Sequence, residues 1–139
     1  MTTQTIFPHL CIKGAKDAVE FYKKALGATE VMILPHEDGK RLMHAALDIG
    51  GAQVFIHDEF PEYKESHPDK IGSPVRIGST SVTVHVNVKD CDTAFRRATG
   101  AGAKSIVEPH DAFWGDRYAQ VVDPFGHSWS FAHTLAKKS

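Results

Sequence analysis

The residues best suited to metal binding or acid–base chemistry in this chain of 139 residues are its nine histidines, several of which interrupt apolar stretches. His44 and His85 lie on stretches whose alternation directs them to one side of a sheet, and His9 precedes an apolar run. Imidazoles bind divalent metals when several converge, and otherwise exchange hydrogen bonds with an organic ligand. The chain therefore offers two kinds of site, a histidine-rich metal centre or a metal-free polar surface.

A second set of polar groups accompanies His85. In residues 82–88, valines alternate with Thr83, His85 and Asn87, which is typical of a strand with one apolar and one polar face. If the valines pack against helices, the three polar side chains point into a cleft, and the same alternation directs Ser130 of the last strand there. Hydroxyls, an amide and an imidazole are suited to orienting a small molecule by hydrogen bonds.

The run Phe113-Trp114-Gly115-Asp116-Arg117-Tyr118 has two interpretations. In the first, Trp114 stacks on a flat ligand and Arg117 pairs with an anionic group on it. In the second, Asp116 and Arg117 form an internal pair, and Trp114 fills a gap between modules or subunits. The residues alone leave both interpretations open.

An internal repeat predicts the elements that position these side chains. Residues 17–28 and 92–103 are both helix-like, and in each an Asp begins the segment and Gly-Ala ends it at the same offset. Apolar periodicity predicts the first helix at 15–27. The predicted strands are 6–12, 30–34, 41–49 and 52–57 in the first copy and 82–88, 104–107, 118–122 and 128–133 in the second. This β-α-β-β-β order, present twice, predicts an α+β fold.

We expect a single domain over residues 1–139, with module one at about 5–58, a linker at about 59–80 and module two at about 81–134. The linker contains three prolines and two glycines and has no periodicity, which is typical of a connection or of a flap over a binding site. A half that cannot close its own core pairs with its copy, so we expect the binding site in the crevice between the copies.

Composition excludes several partners. The 16 basic and 17 acidic residues form no basic stripe, so we expect neither nucleic acid nor an anionic membrane surface as a partner. The chain begins without a charged or apolar leader region, and no apolar run approaches the roughly 18 residues of a membrane span. Cys11 and Cys91 lie in apolar stretches without metal-type spacing, which indicates buried free thiols and favours a cytoplasmic location.

Four runs carry a resemblance to a known family: Pro8-His9-Leu10, Phe-Tyr-Lys-Lys-Ala-Leu-Gly at 21–27, the run at 113–118, and Asp-Pro-Phe-Gly-His at 123–127. Together with the doubled β-α-β-β-β order, they resemble the vicinal oxygen chelate superfamily, and within it the glyoxalase/bleomycin-resistance proteins of the PhnB-like type. The resemblance covers essentially the whole chain. It implies two paired modules forming an open, barrel-like cleft, commonly within a homodimer. In many members it also implies one divalent metal, held by a ligand from each of four strands.

The metal positions that the resemblance implies are poor in metal ligands here. The family's His, Gln and Glu ligands would fall at about Pro8, near Phe55 or Ile56, at Thr83 and at Ser130. His9 lies one residue from the first position, and a one-residue shift turns a side chain to the other face of a strand. We therefore expect no metal and no other cofactor. The alternative is a divalent metal at a relocated centre of His9, His44 and His85.

Two functions follow from these expectations. The first is metal-free binding of a small organic molecule in the cleft, with ligand contacts from His44, Thr83, His85, Asn87, Trp114, Arg117 and Ser130. The alternative is a metal-dependent lyase, isomerase or ring-cleaving dioxygenase, in which the metal acts as a Lewis acid on two neighbouring substrate oxygens. Whether the chain is an enzyme stays open at the level of sequence.

Overall fold

Each half of the chain folds as one β-α-β-β-β unit in the computed structural model, which describes residues 4–136. The first unit consists of β1 (His9–Ile12), α1 (Ala15–Leu26), β2 (Thr29–Pro35), β3 (Leu42–Ile49) and β4 (Ala52–Asp58). The connection contains a 3₁₀ turn (Lys64–Ser66) and the short helix α2 (Pro74–Ile77). The second unit consists of β5 (Thr83–Asn87), α3 (Cys91–Ala101), β6 (Lys104–Asp111), β7 (Asp116–Val122) and β8 (Ser128–Thr134).

The strands form two four-stranded mixed sheets, one from each unit. The strand orders are β1-β4-β3-β2 and β5-β8-β7-β6, and in each sheet the first pair is parallel and the others are antiparallel. Both sheets are open and neither closes into a barrel. The predicted α+β fold with two β-α-β-β-β units is thus confirmed.

Two strand boundaries differ from the prediction by three residues or more, and the others by one or two at most. The first strand begins at His9 and not at residue 6; Pro8 has no N–H, and only its carbonyl contributes, accepting from the Phe55 N–H at 2.8 Å. The strand β6 continues to Asp111, four residues beyond the predicted end, and so includes Pro109 and His110. Proline is tolerated there because β6 is an edge strand that pairs only with β7.

The helices α1 and α3 begin at equivalent places, yet different side chains accept hydrogen bonds from their first amides. The Asp58 carboxylate at the end of β4 accepts from the Gly14 and Ala15 N–H groups at 2.9 and 3.0 Å. In the second unit, Nδ1 of His133 accepts from the Cys91 N–H at 2.8 Å. Because this Nδ1 accepts, the imidazole of His133 is neutral and carries its proton on Nε2.

The two helices pack against each other and against the sheets, and the two units share one continuous apolar core. On α1 the buried side chains recur at helical spacing: Ala15, Ala18, Val19, Tyr22 and Ala25. On β8, Trp129 and Phe131 are buried in this core, as strand alternation predicts. The core therefore holds one face of each sheet against the helices and leaves the opposite face available.

A buried carboxylate joins the two units. Asp123, which is only 4% exposed, precedes β8, and its Oδ2 accepts from the Tyr22 hydroxyl of α1 at 2.5 Å and from the Trp129 indole at 2.9 Å. Its Oδ1 accepts from the N–H groups of Phe125 and His127, both at 2.9 Å. Four donors from both units therefore converge on one side chain.

The turn that follows Asp123 is itself packed against the first unit. Its closing hydrogen bond runs from the Gly126 N–H to the Asp123 carbonyl at 3.0 Å, as the predicted turn requires. Gly126 has φ +86°, and a Cβ there would meet the Cβ of Pro74 at 2.6 Å. Nε2 of the His127 ring donates a hydrogen bond to the Cys11 carbonyl of β1 at 2.8 Å.

No helix within residues 4–136 is long and apolar enough to cross a membrane.

We predict that Asp123→Asn destabilises the protein by about 3 kcal/mol, because the amide nitrogen that replaces one oxygen cannot accept from the donors on its side. Urea denaturation measures the free energy of unfolding, and Asp69→Asn at a solvent-exposed position is the matched control. If Asp123→Asn lowered the free energy of unfolding by less than about 1 kcal/mol, the predicted contribution of the Asp123 hydrogen bonds to stability would be wrong.

Candidate functional site

A cleft lies between the first unit and the edge strand β5 of the second. Its volume is 620 Å³. Its walls come from residues 5–8 before β1, residues 49–54 of the β3–β4 hairpin, and residues 84–87 of β5, with Trp129 beside them. A smaller cavity of 320 Å³ on the helix side of β5 is lined mainly by apolar side chains. His85 and Asn87 line the larger cleft together with Gln53, so it is the candidate site.

The sheet face of the second unit carries a connected set of hydroxyl and amide groups. The register aligns His85 with Ser130 and Gln120 across three strands. One row along, the Thr83 hydroxyl lies 2.8 Å from the Ser128 hydroxyl, which accepts from Gln120 Nε2 at 2.9 Å. These contacts hold the side chains in defined orientations over a strand face that sequence alternation had assigned to the cleft.

The His85 ring has both nitrogens engaged. Its Nδ1 lies 2.7 Å from the Ser130 hydroxyl, and its Nε2 lies 3.0 Å from Asn87 Oδ1. An amide oxygen only accepts, so Nε2 carries a proton and donates to Asn87, whereas the serine hydroxyl can pair with Nδ1 as donor or as acceptor. The imidazole is therefore oriented from both sides. Structure and sequence agree that Thr83, His85, Asn87 and Ser130 share one face.

The corresponding face of the first unit is aromatic. His9 pairs with Phe55, which pairs with Ala46, and His57 and His44 lie two residues further along β4 and β3 on the same side. The His9 ring centroid is 4.6 Å from that of His57 and 5.6 Å from that of His44. The structure thus brings His9 and His44 together with His57, whereas His85 lies on the other sheet.

Two observations define the state of these imidazoles. Nδ1 of His57 lies 2.8 Å from the Asp58 carbonyl, which only accepts, so Nδ1 carries the proton. The pKa of His9 lies below its ordinary value, first because of burial and then because of the like charges that His57 and His44 acquire when protonated. The His9 ring is therefore uncharged near neutral pH.

The metal centre that the resemblance implies does not fit these donors. The pair His9 and Phe55 of the first sheet corresponds to the pair His85 and Ser130 of the second. The residue opposite each imidazole is therefore a phenylalanine or a serine. Neither is a strong ligand for a divalent cation. Within residues 4–136, no group of three or more His, Cys, Asp or Glu side chains is arranged to hold a metal ion, which applies also to His9, His44 and His85.

Arg117 does not join the cleft face. Its guanidinium forms two hydrogen bonds to Asp92 of α3, at 2.9 and 3.0 Å, and one to Asp111 at 3.1 Å. The structure thus gives Arg117 internal partners, as in the second of the two interpretations, but these are Asp92 and Asp111 and not Asp116. The Asp116 carboxylate accepts instead from the Trp114 indole at 3.1 Å.

Trp114 is half exposed at the β6–β7 turn, and its ring packs edge-on against Tyr118 at 5.4 Å between centroids. Tyr118 lies on the polar face, where its ring is stacked 6.3 Å from that of His85. Trp114 therefore borders the polar face without reaching the row of His85. Its predicted contact with a ligand stays a prediction.

Neither cysteine is placed for nucleophilic chemistry. Cys11 and Cys91 are buried free thiols, as predicted, and burial raises the pKa of each to about 11. The thiolate is the reactive form, so both side chains are inert near neutral pH.

Several residues of the site were missed at the level of sequence. Phe7 and Phe55 form a stacked pair, with centroids 4.7 Å apart, and Gln120 and Tyr118 complete the polar face. Alternation within 118–122 carried a signal for the last two, because Tyr118 and Gln120 fall two residues apart on the face opposite the buried Val121. Phe7 fell within the predicted strand 6–12, and the structure places it just before β1.

Comparison with known protein families gives a match over most of the chain. The model of the family described as Glyoxalase/Bleomycin resistance protein/Dioxygenase superfamily matches residues 6–131. A protein of Mycobacterium bovis is 45% identical over 128 residues, which are 92% of this chain and 82% of that protein.

Solved structures agree with this match. TioX from Micromonospora sp. ML1 superposes with a TM-score of 0.70 at 26% identity, covering 98% of this chain and 100% of that one. The PhnB protein of Bacillus cereus gives a TM-score of 0.70 at 17% identity, covering 96% of this chain and 100% of that one. The second likeness is one of fold alone.

We predict that His9 titrates below the ordinary histidine pKa of 6.5, and that His57→Asn raises its pKa by removing a like charge. The pKa of His9 is lower in the folded protein than in the unfolded chain, so the folded state favours the neutral ring. The free energy of unfolding therefore decreases as the pH falls below 6.5, and this decrease stops once the ring is protonated in the folded protein as well. NMR titration of the ring protons measures both pKa values, with His67→Asn in the connection as the control. A wild-type His9 that titrates at or above 6.5 would contradict this assignment.

Proposed function

Because this chain belongs to the glyoxalase/bleomycin resistance protein/dioxygenase superfamily, we propose that it binds a small organic molecule in the cleft between its sheets, without the metal that the resemblance implies for many members. The observation that carries the proposal is that His85 and Asn87 line the cleft, with the His85 ring held between the Ser130 hydroxyl and the Asn87 amide oxygen. Preoriented polar groups beside an apolar wall are typical of small-molecule sites.

The polar face has spare hydrogen-bonding capacity for a ligand. Each serine or threonine hydroxyl has one donor and two acceptor sites, and the contacts among Thr83, Ser128 and Gln120 use only some of them. The Asn87 amide nitrogen likewise adds two donors beside the cleft. A ligand that bridges these groups gains orientation at little entropic cost, since the side chains are already held.

The opposite wall suits the apolar part of such a ligand. Phe7 lines the cleft and is stacked on Phe55, with an angle of 21° between the ring planes. Phe7 is 40% exposed, so a flat ligand that covers it removes apolar surface from water. The combination favours a molecule with one apolar face and several polar substituents.

The homodimer that the resemblance implies is part of the proposal. Light scattering on the purified protein would then give twice the chain mass of 15.3 kDa. A mass of one chain at micromolar concentration would exclude it.

We predict that a ligand found by a thermal-shift screen of antibiotics and aromatic metabolites binds about tenfold more weakly to Ser130→Ala, through the loss of one hydrogen bond and the release of His85. Ser79→Ala in the exposed connection is the matched control and should bind like the wild type. Calorimetry measures both affinities. Equal affinities for Ser130→Ala and the wild type would place the ligand elsewhere.

The same preparation tests the metal. After incubation with excess Zn²⁺, Mn²⁺, Ni²⁺ and Fe²⁺ and desalting, elemental analysis should detect far less than one metal per chain. One retained equivalent, together with a lower Tm on adding EDTA, would favour the metal-dependent lyase, isomerase or dioxygenase instead.

A further inference from the structure

The cavity of 320 Å³ on the helix side of β5 is built by both units. The ends of α1 and β3 border it from the first unit, and the end of β5 and the first turns of α3 border it from the second. Its apolar lining consists of Ala25, Leu26, Ile49, Val86, Val88, Ala94 and Phe131. This helix-side cavity has the size of a small-molecule site.

Most of this apolar lining is only partly buried by the protein itself. Five of the side chains pack against the core and keep part of their surface accessible: Leu26, Ile49, Val86, Val88 and Ala94. All five are aliphatic, and the one aromatic ring of the lining, that of Phe131, is itself buried. The cavity thus offers no exposed ring on which a flat ligand could stack. A flexible aliphatic chain that fills it removes the remaining apolar surface from water.

Two cations border the cavity without a carboxylate partner. Lys89 follows β5 and Arg97 lies on α3; both residues are exposed, and within residues 4–136 neither forms a salt bridge. The acidic residue of the lining, Asp90, is engaged as the cap of α3, where its carboxylate accepts from the Thr93 N–H at 3.2 Å. The lining therefore carries a net positive charge.

The guanidinium of Arg97 is held in place by the end of α1. Its Nε donates to the Lys24 carbonyl at 2.7 Å, and its Nη2 donates to the Lys23 carbonyl at 3.4 Å. A Cβ at Gly27, where φ is +68°, would lie 3.0 Å from Nη1, so the glycine allows this close approach. These bonds leave Nη1 unused within the described part of the chain, and its N–H groups can donate to an anion.

We propose that the helix-side cavity binds a medium-chain aliphatic carboxylate, whose chain lies among the aliphatic side chains and whose carboxylate pairs with Arg97 and Lys89. This site is separate from the cleft of the proposed function, although Ile49 and Val86 border both. An arginine that is already oriented forms charge-assisted hydrogen bonds to a carboxylate at a small entropic cost.

The test compares octanoate with octanamide, which lacks the charge, and with hexanoate, which is two methylenes shorter. At about pH 7.5 the acids are ionised, and calorimetry should give octanoate an affinity about fivefold higher than that of octanamide. The affinity of octanoate should exceed that of hexanoate by about tenfold, because the longer chain buries more apolar surface. The backbone amide shifts that change in NMR spectra should centre on Val88, Ala94 and Arg97.

Variants separate the charge from the cavity. Arg97→Gln should lower the octanoate affinity to that of octanamide and leave the octanamide affinity unchanged, a split that a loss of structure would not produce. Arg96→Gln is the matched control, because Arg96 is exposed on the same helix and does not line the cavity. Ala94→Met should fill the cavity and weaken the binding of both ligands by about tenfold or more.

Four results would each overturn the inference: equal affinities for octanoate and octanamide, an unchanged octanoate preference in Arg97→Gln, an unchanged octanoate affinity in Ala94→Met, or no binding of octanoate at millimolar concentration. Asn87→Ala alters the cleft and not this cavity, so it should leave the octanoate affinity unchanged. A loss of octanoate affinity in that variant would place octanoate in the cleft and would likewise overturn the inference. The proposed function is tested separately, through the dependence of the screened ligand on Ser130.

Discussion

The arrangement of the whole molecule depends on one buried carboxylate. Asp123 accepts hydrogen bonds from four donors, one of which, Tyr22, belongs to the helix of the other unit. Two repeated units could pack helix to helix in several relative positions, because apolar contact is not directional. The directed bonds to Asp123 select one of them. They also shape the turn before β8, and thus the register that brings Ser130 beside His85.

The two β-α-β-β-β units have the same topology but carry different side chains on their open sheet faces. The row His9 and Phe55 of the first sheet corresponds to the row His85 and Ser130 of the second. In the first, burial and then the neighbouring His57 and His44 lower the pKa of the His9 imidazole. In the second, a hydroxyl and an amide orient the His85 imidazole by hydrogen bonds. The two faces therefore offer different partners to a bound molecule, which two identical faces could not do.

Much of this fold follows from the sequence, because its signals are local. Helical spacing and strand alternation predicted every element of both units and assigned Thr83, His85, Asn87 and Ser130 to one face. Contacts that join distant segments carried no such signal. The salt bridge from Arg117 to Asp92 spans 25 residues, so sequence could offer only the adjacent Asp116 as an internal partner in one of its two interpretations, and that partner was wrong. The grouping of His9 with His44 and His57 depends on register across three strands, which a single strand's pattern does not contain.

The helix caps show how far the two units have diverged. The first amides of α1 are held by the Asp58 carboxylate, which lies 43 residues after Ala15 at the end of β4. The start of α3 has two caps: the Asp90 carboxylate accepts from the Thr93 N–H, three residues along the chain, and the His133 ring accepts from the Cys91 N–H. A cap that is local in sequence is available to a helix before the sheet has formed, whereas a cap on a distant strand is not. The first turn of α1 therefore depends on the completed sheet, and that of α3 depends in part on its own sequence.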